Sequence, residues 1–506
     1  MYGRTLQNGF VYDDHDEVEH NSHITSYRNF PDYFRRPFWE VTAAENFPSN
    51  IYRPLKLVSY YVDYQIGGNE PALYHLSNLV FHTVASVLLY FNLVGLHFGP
   101  QTAFFGAAFF ALHPMNSEVV YYISGRPDAL AAVFFFAAML MCRVGRPFLS
   151  SVGGAAFFGA LLCKETVLVL MPALALLAIR SKTRDRKAMF ITLAACSLAA
   201  LAYLLLRQQF ARGTPMGIVL QSIQSREALK TWLTYLQFLM LPFGPAGYRE
   251  VAGASYAENT AASAFFLGVL LLAFVRGRAH SLVNWVGVLF VFSTLFLASA
   301  LTMSSRVISD RYLYFSVVGL SFLVCAGLGA LNRRRILQAA LGILLLIFGS
   351  FSYLAGKQWK NDFSFWCFAA EMNPNSAVVQ RNLGFIFFER GRFDEAEGAY
   401  LKALTLSEGV EFNRRTQLKS LHSLGALYYR LGDLDRSRTY YERLLTLDPG
   451  QQEHWQFVVT LLLAQNRCQD AEKLVGQANK RFPGRPPLLV PGDLCPKTKK
   501  TTNRMD

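Results

Sequence analysis

A few short strings hold most of the residues able to do chemistry. Phe10-Val11-Tyr12-Asp13-Asp14 places two carboxylates after a short apolar lead-in. Such a pair is either a solvated turn or, held near a surface, a general base or a metal-binding carboxylate. Arg53, in Ile51-Tyr52-Arg53-Pro54-Leu55, either snorkels toward lipid headgroups or grips a lipid phosphate. His113, Glu118, Arg126 and Asp128 fall within sixteen residues of a proline-broken turn, more chemistry than a hairpin needs unless they pair internally. Lys164-Glu165 sits between two apolar segments, its side chains pointing in different directions if helical. Asp310-Arg311-Tyr312-Leu313-Tyr314 opens another apolar run, where Arg and Tyr also serve as interfacial anchors.

The elements that must position these strings are membrane-length apolar segments. The chain has 506 residues, 52% hydrophobic, 14% aromatic and only 17% charged. Ordinary soluble proteins carry about 25% charged residues, and 42 Phe with 24 Tyr exclude disorder. Ten segments are read as spans: 74–96, 101–113, 127–142, 148–163, 165–180, 188–206, 258–275, 282–301, 312–331 and 336–354. Several fall short of the roughly 20 residues that a bilayer core asks of a helix, so their ends must be polar, tilted or shielded.

Basic turns at Arg143/Arg146, Arg180–Lys187, Arg276/Arg278 and Arg333–Arg335 face the cytoplasm under the positive-inside rule. Alternation then puts residues 1–73, the turn His113–Arg126, Lys164-Glu165, the turn Ser304–Arg311 and everything after 355 on the outer side. Residues 228–243 would invert this count if they crossed, so they are read as interfacial or re-entrant. No signal peptide or span leads residues 1–73, and an upstream span beyond this start site is the expectation. The four inner turns and the tail from Lys497 together account for the net charge of +14. That excess is a topology signal, and nucleic acid is not an expected partner. Seven cysteines without paired spacing indicate neither a disulfide framework nor a zinc site.

Beyond residue 355 the pattern changes to a 34-residue repeat of tetratricopeptide type. Repeats are read at 377–410, 418–451 and 452–485, preceded by a half-repeat at 359–374 and followed by a basic, disordered tail at 486–506. Leu383-Gly384, Ala396 and Tyr400 in the first copy correspond to Leu424-Gly425 and Tyr441 in the second. The fold class is therefore all-α: an outer-facing N-terminal segment, 1–73, a polytopic helical membrane domain, 74–355, and a short α-solenoid, 356–485. Such an array is either a spacer or a groove for a polypeptide.

Taken in order, NGFVYDD (8–14), YRPL (52–55), YHLSNLVFH (74–82), ALHPMNSEVVYYISGRPDAL (111–130), CKE (163–165) and DRYLYFSVVGL (310–320) resemble the transmembrane and tetratricopeptide-repeat O-mannosyltransferases and their bacterial relatives. That family has the C-type glycosyltransferase fold. The resemblance implies transfer of a hexose, mannose by analogy, from a polyprenyl-phosphate sugar to Ser/Thr hydroxyls of a protein acceptor, at an outward-facing site. It implies Asp13 or Asp14 as base or metal holder, Arg53, Arg126, Lys164 and Arg311 for the donor phosphate, and His113, Glu118, Asp128 and Glu165 in support. No cofactor follows beyond the lipid-linked sugar, although a divalent cation is compatible with the carboxylates. Two departures stand out: the span that precedes the Asp motif is missing, and the repeat array is short. The lack of any Asn-x-Ser/Thr sequon points toward a bacterial inner membrane with the site facing the periplasm. The competing reading is a non-catalytic membrane scaffold whose repeats assemble an envelope complex.

Overall fold

The computed structural model describes residues 1–42, 51–144, 146–179, 186–211, 226–242, 244–250, 281–330, 334–410 and 413–489. These form two compact units, Met1–Phe365 and Trp366–Asp506.

In the first unit, proline opens the helices Pro54–Gly67, Pro71–Gly95, Pro100–Leu112 and Pro147–Cys163. Its fixed φ suits a first helical turn, and its missing N–H is one that would lack a helical partner there anyway. Among the described residues, six helices are long and apolar enough to cross a membrane: Pro71–Gly95, Ile123–Arg143, Lys187–Phe210, Leu282–Thr302, Asp310–Gly329 and Gln338–Ala355. The protein is thus an integral, multi-pass membrane protein. Three further expected spans form the shorter apolar helices Pro100–Leu112, Pro147–Cys163 and Glu165–Leu177. The segment 258–275 lies outside the described residues. Residues 228–243 contribute the helix Arg226–Met240, whose Tyr235 is buried and hydrogen-bonded to Thr302 at 2.6 Å.

Aromatic side chains fill the space between helices in this unit. The Phe135 ring meets Phe136, Phe157, Phe290 and Phe315, at centroid distances of 5.8 to 6.3 Å. At one end of the bundle, Arg143 reaches the carbonyls of Asn92 and Gly95. At the other end, the segments that charge alternation places on one side come together. Asp14 accepts from Ser124, Arg53 pairs with Glu165, and Arg311 pairs with Glu118. A strap from Gln358 to Phe365 closes over this end. Its Lys360 carbonyl accepts from Gly9 N–H at 3.0 Å, and its buried Trp359 stacks on Tyr122 at 4.9 Å.

The second unit contains three helical hairpins: Ala377–Glu389 with Phe393–Ser407, Arg414–Arg430 with Leu434–Leu447, and Gln452–Ala464 with Cys468–Arg481. Their signature glycines are close approaches. A Cβ on Gly384 would lie 2.6 Å from the Tyr400 ring, and one on Gly425 would lie 2.6 Å from Tyr441. Each of the first two hairpins thus fits an aromatic ring against bare backbone. The stretch read as a half-repeat holds one helix, Asp362–Met372, and the strap before it belongs with the membrane unit. The first helix of the second repeat begins at Arg414, ahead of the boundary read at 418.

One expectation needs correction. The tail does not start out disordered, because Leu488 exchanges hydrogen bonds with the Asn479 side chain at 2.8 and 3.0 Å. Cys468 is engaged in a disulfide, while Cys142, Cys163, Cys196, Cys325 and Cys367 are free thiols.

Candidate active site

The site is built on a backbone reversal at Tyr12, which has φ of +59°. The left-handed region is costly for a bulky residue and persists only where neighbours enforce it. Here Asp362 Oδ1 accepts the Tyr12 N–H at 2.9 Å, while the Tyr12 ring stacks with Tyr122 and Phe365 at 6.4 and 5.9 Å. Buried Val11 anchors the preceding strand-like segment. The reversal sends Asp13 and Asp14 into different surroundings.

Asp14 is buried and accepts three hydrogen bonds. Its Oδ1 accepts from Ser124 N–H at 2.8 Å and from Ser124 Oγ at 2.6 Å, and its Oδ2 accepts from Val11 N–H at 3.2 Å. Burial still pushes this carboxyl up to about 7. Asp13 stays partly exposed and accepts one hydrogen bond, from the Tyr122 hydroxyl at 2.8 Å. Among the described residues it has no cation within 4 Å. Desolvation, with the nearby Glu17 charge added, raises its carboxyl to about 6 against the opposing pull of Tyr122, Arg311 and Lys56.

The cations around it are paired. Arg311 donates to Glu118 through its guanidinium at 2.8 Å and its backbone N–H at 2.9 Å, and Ser309 Oγ donates to the same carboxylate at 2.7 Å. Its guanidinium lies 5.4 Å from the centroid of the Tyr122 ring, and its side chain keeps 24% exposure. Asp13, Tyr122 and Arg311 are therefore contiguous. Arg53, just ahead of the Pro54–Gly67 helix, forks onto Glu165 at 2.7 and 2.9 Å and keeps 16% exposure. Lys164 touches both oxygens of Asp128 at 2.6 Å and lies over Tyr312, so it is near the cluster but buried.

Two expected site residues belong to the scaffold instead. Arg126 is fully buried, bonded to Asn78, Ser59, the Tyr74 carbonyl and Asp63 at 2.6 to 3.2 Å, and capped by Tyr60. No face of its guanidinium is open to a phosphate. His113 lies in the core between Phe109 and Phe348, with its Nδ1 accepting from Met115 N–H at 3.3 Å. Conversely, Tyr122, Glu17, Lys56 and Asp362 were not singled out from sequence. Lys56 follows the Arg53 string and pairs with Glu17 at 2.5 Å, a spacing-free contact that no local pattern announces. Asp362 is separated from Tyr12 by most of the chain.

The tetratricopeptide repeat family matches residues 375–449. Over 174 residues the chain is 32% identical to the protein O-mannosyl-transferase Tmtc1 of Drosophila melanogaster, covering 33% of this chain and 20% of that protein. The mouse protein O-mannosyl-transferase TMTC3 is 32% identical over 139 residues, 28% of this chain and 15% of its own. The Caenorhabditis elegans protein O-mannosyl-transferase F38B6.6 is 23% identical over 451 residues, 81% of this chain and 61% of its own. In each case the match spans less than two thirds of the relative's length. The ordered motifs that resemble the O-mannosyltransferases thus agree with these likenesses.

Proposed function

We propose that this protein transfers a mannosyl group from a polyprenyl-phosphate donor to a Ser or Thr hydroxyl of a protein acceptor, on the membrane face opposite the basic turns. The observation that carries the reading is Asp13: a partly exposed carboxylate without an ion pair among the described residues, tied through Tyr122 to Arg311 in an otherwise charge-matched cluster. The names of the relatives support mannose as the sugar and protein as the acceptor.

In this reaction Asp13 takes the proton from the acceptor hydroxyl as its oxygen bonds to the anomeric carbon. The bond from that carbon to the phosphate oxygen breaks, and its electron pair leaves with the lipid phosphate. Arg311, with Arg53 beside the membrane-proximal helix, meets the growing negative charge. Glu118 and Glu165 hold those guanidinium groups in place, while Asp14 shapes the loop. The tetratricopeptide repeats, which follow the strap in sequence, supply recognition of the acceptor polypeptide.

The test uses membranes containing the full chain and labelled polyprenyl-phosphate hexoses. Transfer that depends on Asp13 supports the reading. Wild-type transfer by Asp13→Asn removes Asp13 from the mechanism. Failure of the wild-type chain to transfer any such hexose returns the scaffold reading.

A further inference from the structure

Residues that transfer does not use gather just after the Asp pair. His15–Glu19 form a single π-helical turn, closed by a bond from His20 N–H to the His15 carbonyl at 2.8 Å. An ordinary α-turn would place His15 and Glu19 on one face and rotate His20 away by about 100°. The wider turn brings residues five apart together, and such turns recur at functional sites. Here the two imidazole rings lie face to face, 6.0 Å apart and 24° from parallel. One ligand atom from each of His15, Glu19 and His20 falls within 4.8 Å of the others. Glu19 Oε2 contacts His15 Nδ1 and lies 3.9 Å from His20 Nε2.

The other nitrogen of His15 supplies an independent observation. His15 Nε2 is 2.6 Å from Asp362 Oδ2. A carboxylate on the far nitrogen is the usual way a ligating histidine is fixed in tautomer and orientation. It leaves Nδ1 directed at Glu19 Oε2, where a bound metal ion would take the place of the hydrogen bond between them. We propose that His15 Nδ1, Glu19 and His20 bind a divalent transition-metal ion of the zinc class, with Asp362 as the carboxylate that orients His15.

The donor set decides the class. Two imidazoles with one carboxylate suit zinc, whereas calcium and magnesium favour sites built wholly from oxygen. Ligand atoms about 2.0 Å from a tetrahedral ion stand about 3.3 Å apart, so the cluster must contract modestly. His20, with 65% of its side chain exposed, is free to make that movement. Three protein ligands leave a fourth position for water. Because Asp362 also holds Tyr12 N–H, the bound ion would brace the loop that carries Asp13 against the strap. The site does not rest on the transferase reading, because it is tested by binding.

Full-length protein without a histidine tag, purified in detergent and stripped with chelator, is titrated with Zn²⁺ and with Co²⁺. Bound metal is read by mass spectrometry, and cobalt coordination is read from visible absorption. One equivalent is expected in the wild type, with an absorption spectrum of low-coordinate Co²⁺. His20→Ala and Glu19→Gln alter exposed side chains and should lose that equivalent while keeping the wild-type circular dichroism. Asp362→Asn should retain binding at about 10–100-fold lower affinity. Substoichiometric wild-type binding, or a full equivalent retained by His20→Ala and Glu19→Gln, overturns the site. Preference for Mg²⁺ or Ca²⁺ over Zn²⁺ overturns the assignment to the zinc class.

Discussion

Asp13 and Asp14 are chemically identical neighbours in one loop, and their surroundings assign them opposite work. Asp14 holds Ser124 and Val11 together and is sealed from solvent. In Asp14→Asn an amide N–H₂ would replace an acceptor. Stability should fall by about 1–3 kcal/mol for the broken buried hydrogen bonding, read as a lower midpoint of thermal unfolding in detergent. Asp13→Asn should leave that midpoint near wild type and lower kcat by about 10²–10⁴-fold, the usual span for a lost general base. Equal effects of the two substitutions on unfolding would sink this division of labour. Arg311→Gln should lower kcat by about 10²–10³-fold, as for loss of a donor to a developing anion. A change in KM for the donor alone would instead make Arg311 a binding residue. The sequence offers the Asp pair as a unit and does not separate its members. The separation depends on the left-handed backbone at Tyr12 and on Ser124, which is close only in the folded chain. Arg126 was misleading for a related reason. A guanidinium in a polar turn reads the same from sequence whether it faces a ligand or is enclosed by Asn78, Ser59, Tyr74 and Asp63.

At the level of elements, hydropathy made the spans legible because each apolar run is continuous along the chain and needs no tertiary information. The short helices Pro100–Leu112 and Pro147–Cys163 were equally visible as apolar runs bounded by proline. The repeats were legible for a different reason: glycine and tyrosine recur at the same offset in the first two hairpins because both solve the same packing problem. That problem gives a direct prediction. Gly384→Val or Gly425→Val would drive branched carbons into the Tyr400 or Tyr441 ring and cost about 1–3 kcal/mol by overpacking. Limited proteolysis should then cut within the affected hairpin faster than in the wild type, and unchanged protection would contradict the fit described. The π-turn and the strap left no comparable trace. One extra residue in a helical turn does not alter composition, and a strap is defined by what it touches.

For the molecule as a whole, charge is divided between two tasks. Most of the net +14 sits in short turns and the tail, while the candidate site balances its cations against carboxylates. The buried Arg126–Asp63 pair joins the Ile123–Arg143 span to the Pro54–Gly67 helix. Arg126→Ala would leave Asp63 buried without its cation, at a cost of about 3–5 kcal/mol. Loss of folded protein on size-exclusion chromatography should accompany that substitution, with activity per folded molecule left as a separate measurement. The proposed sidedness is also testable. A cysteine at Ser22 should react with a membrane-impermeant maleimide on the outer side, above the labelling of the parent chain. A cysteine at Val144, an exposed residue at the opposite end, should react only after permeabilisation. The reverse pattern would invert the orientation.

The strap imposes an order on biogenesis. Residues near the N-terminus leave the ribosome early, yet the Tyr12 reversal is held by Asp362 and Phe365, and Gly9 is bonded to Lys360. Synthesis proceeds from the N-terminus at about 5–20 residues per second, so the first loop must wait while every intervening span is made and inserted. The carboxylate of Asp13 therefore takes its place only after the Gln338–Ala355 span is complete. A nascent chain stalled before residue 358 has made the Asp13–Asp14 loop but lacks the strap residues that hold the Tyr12 reversal.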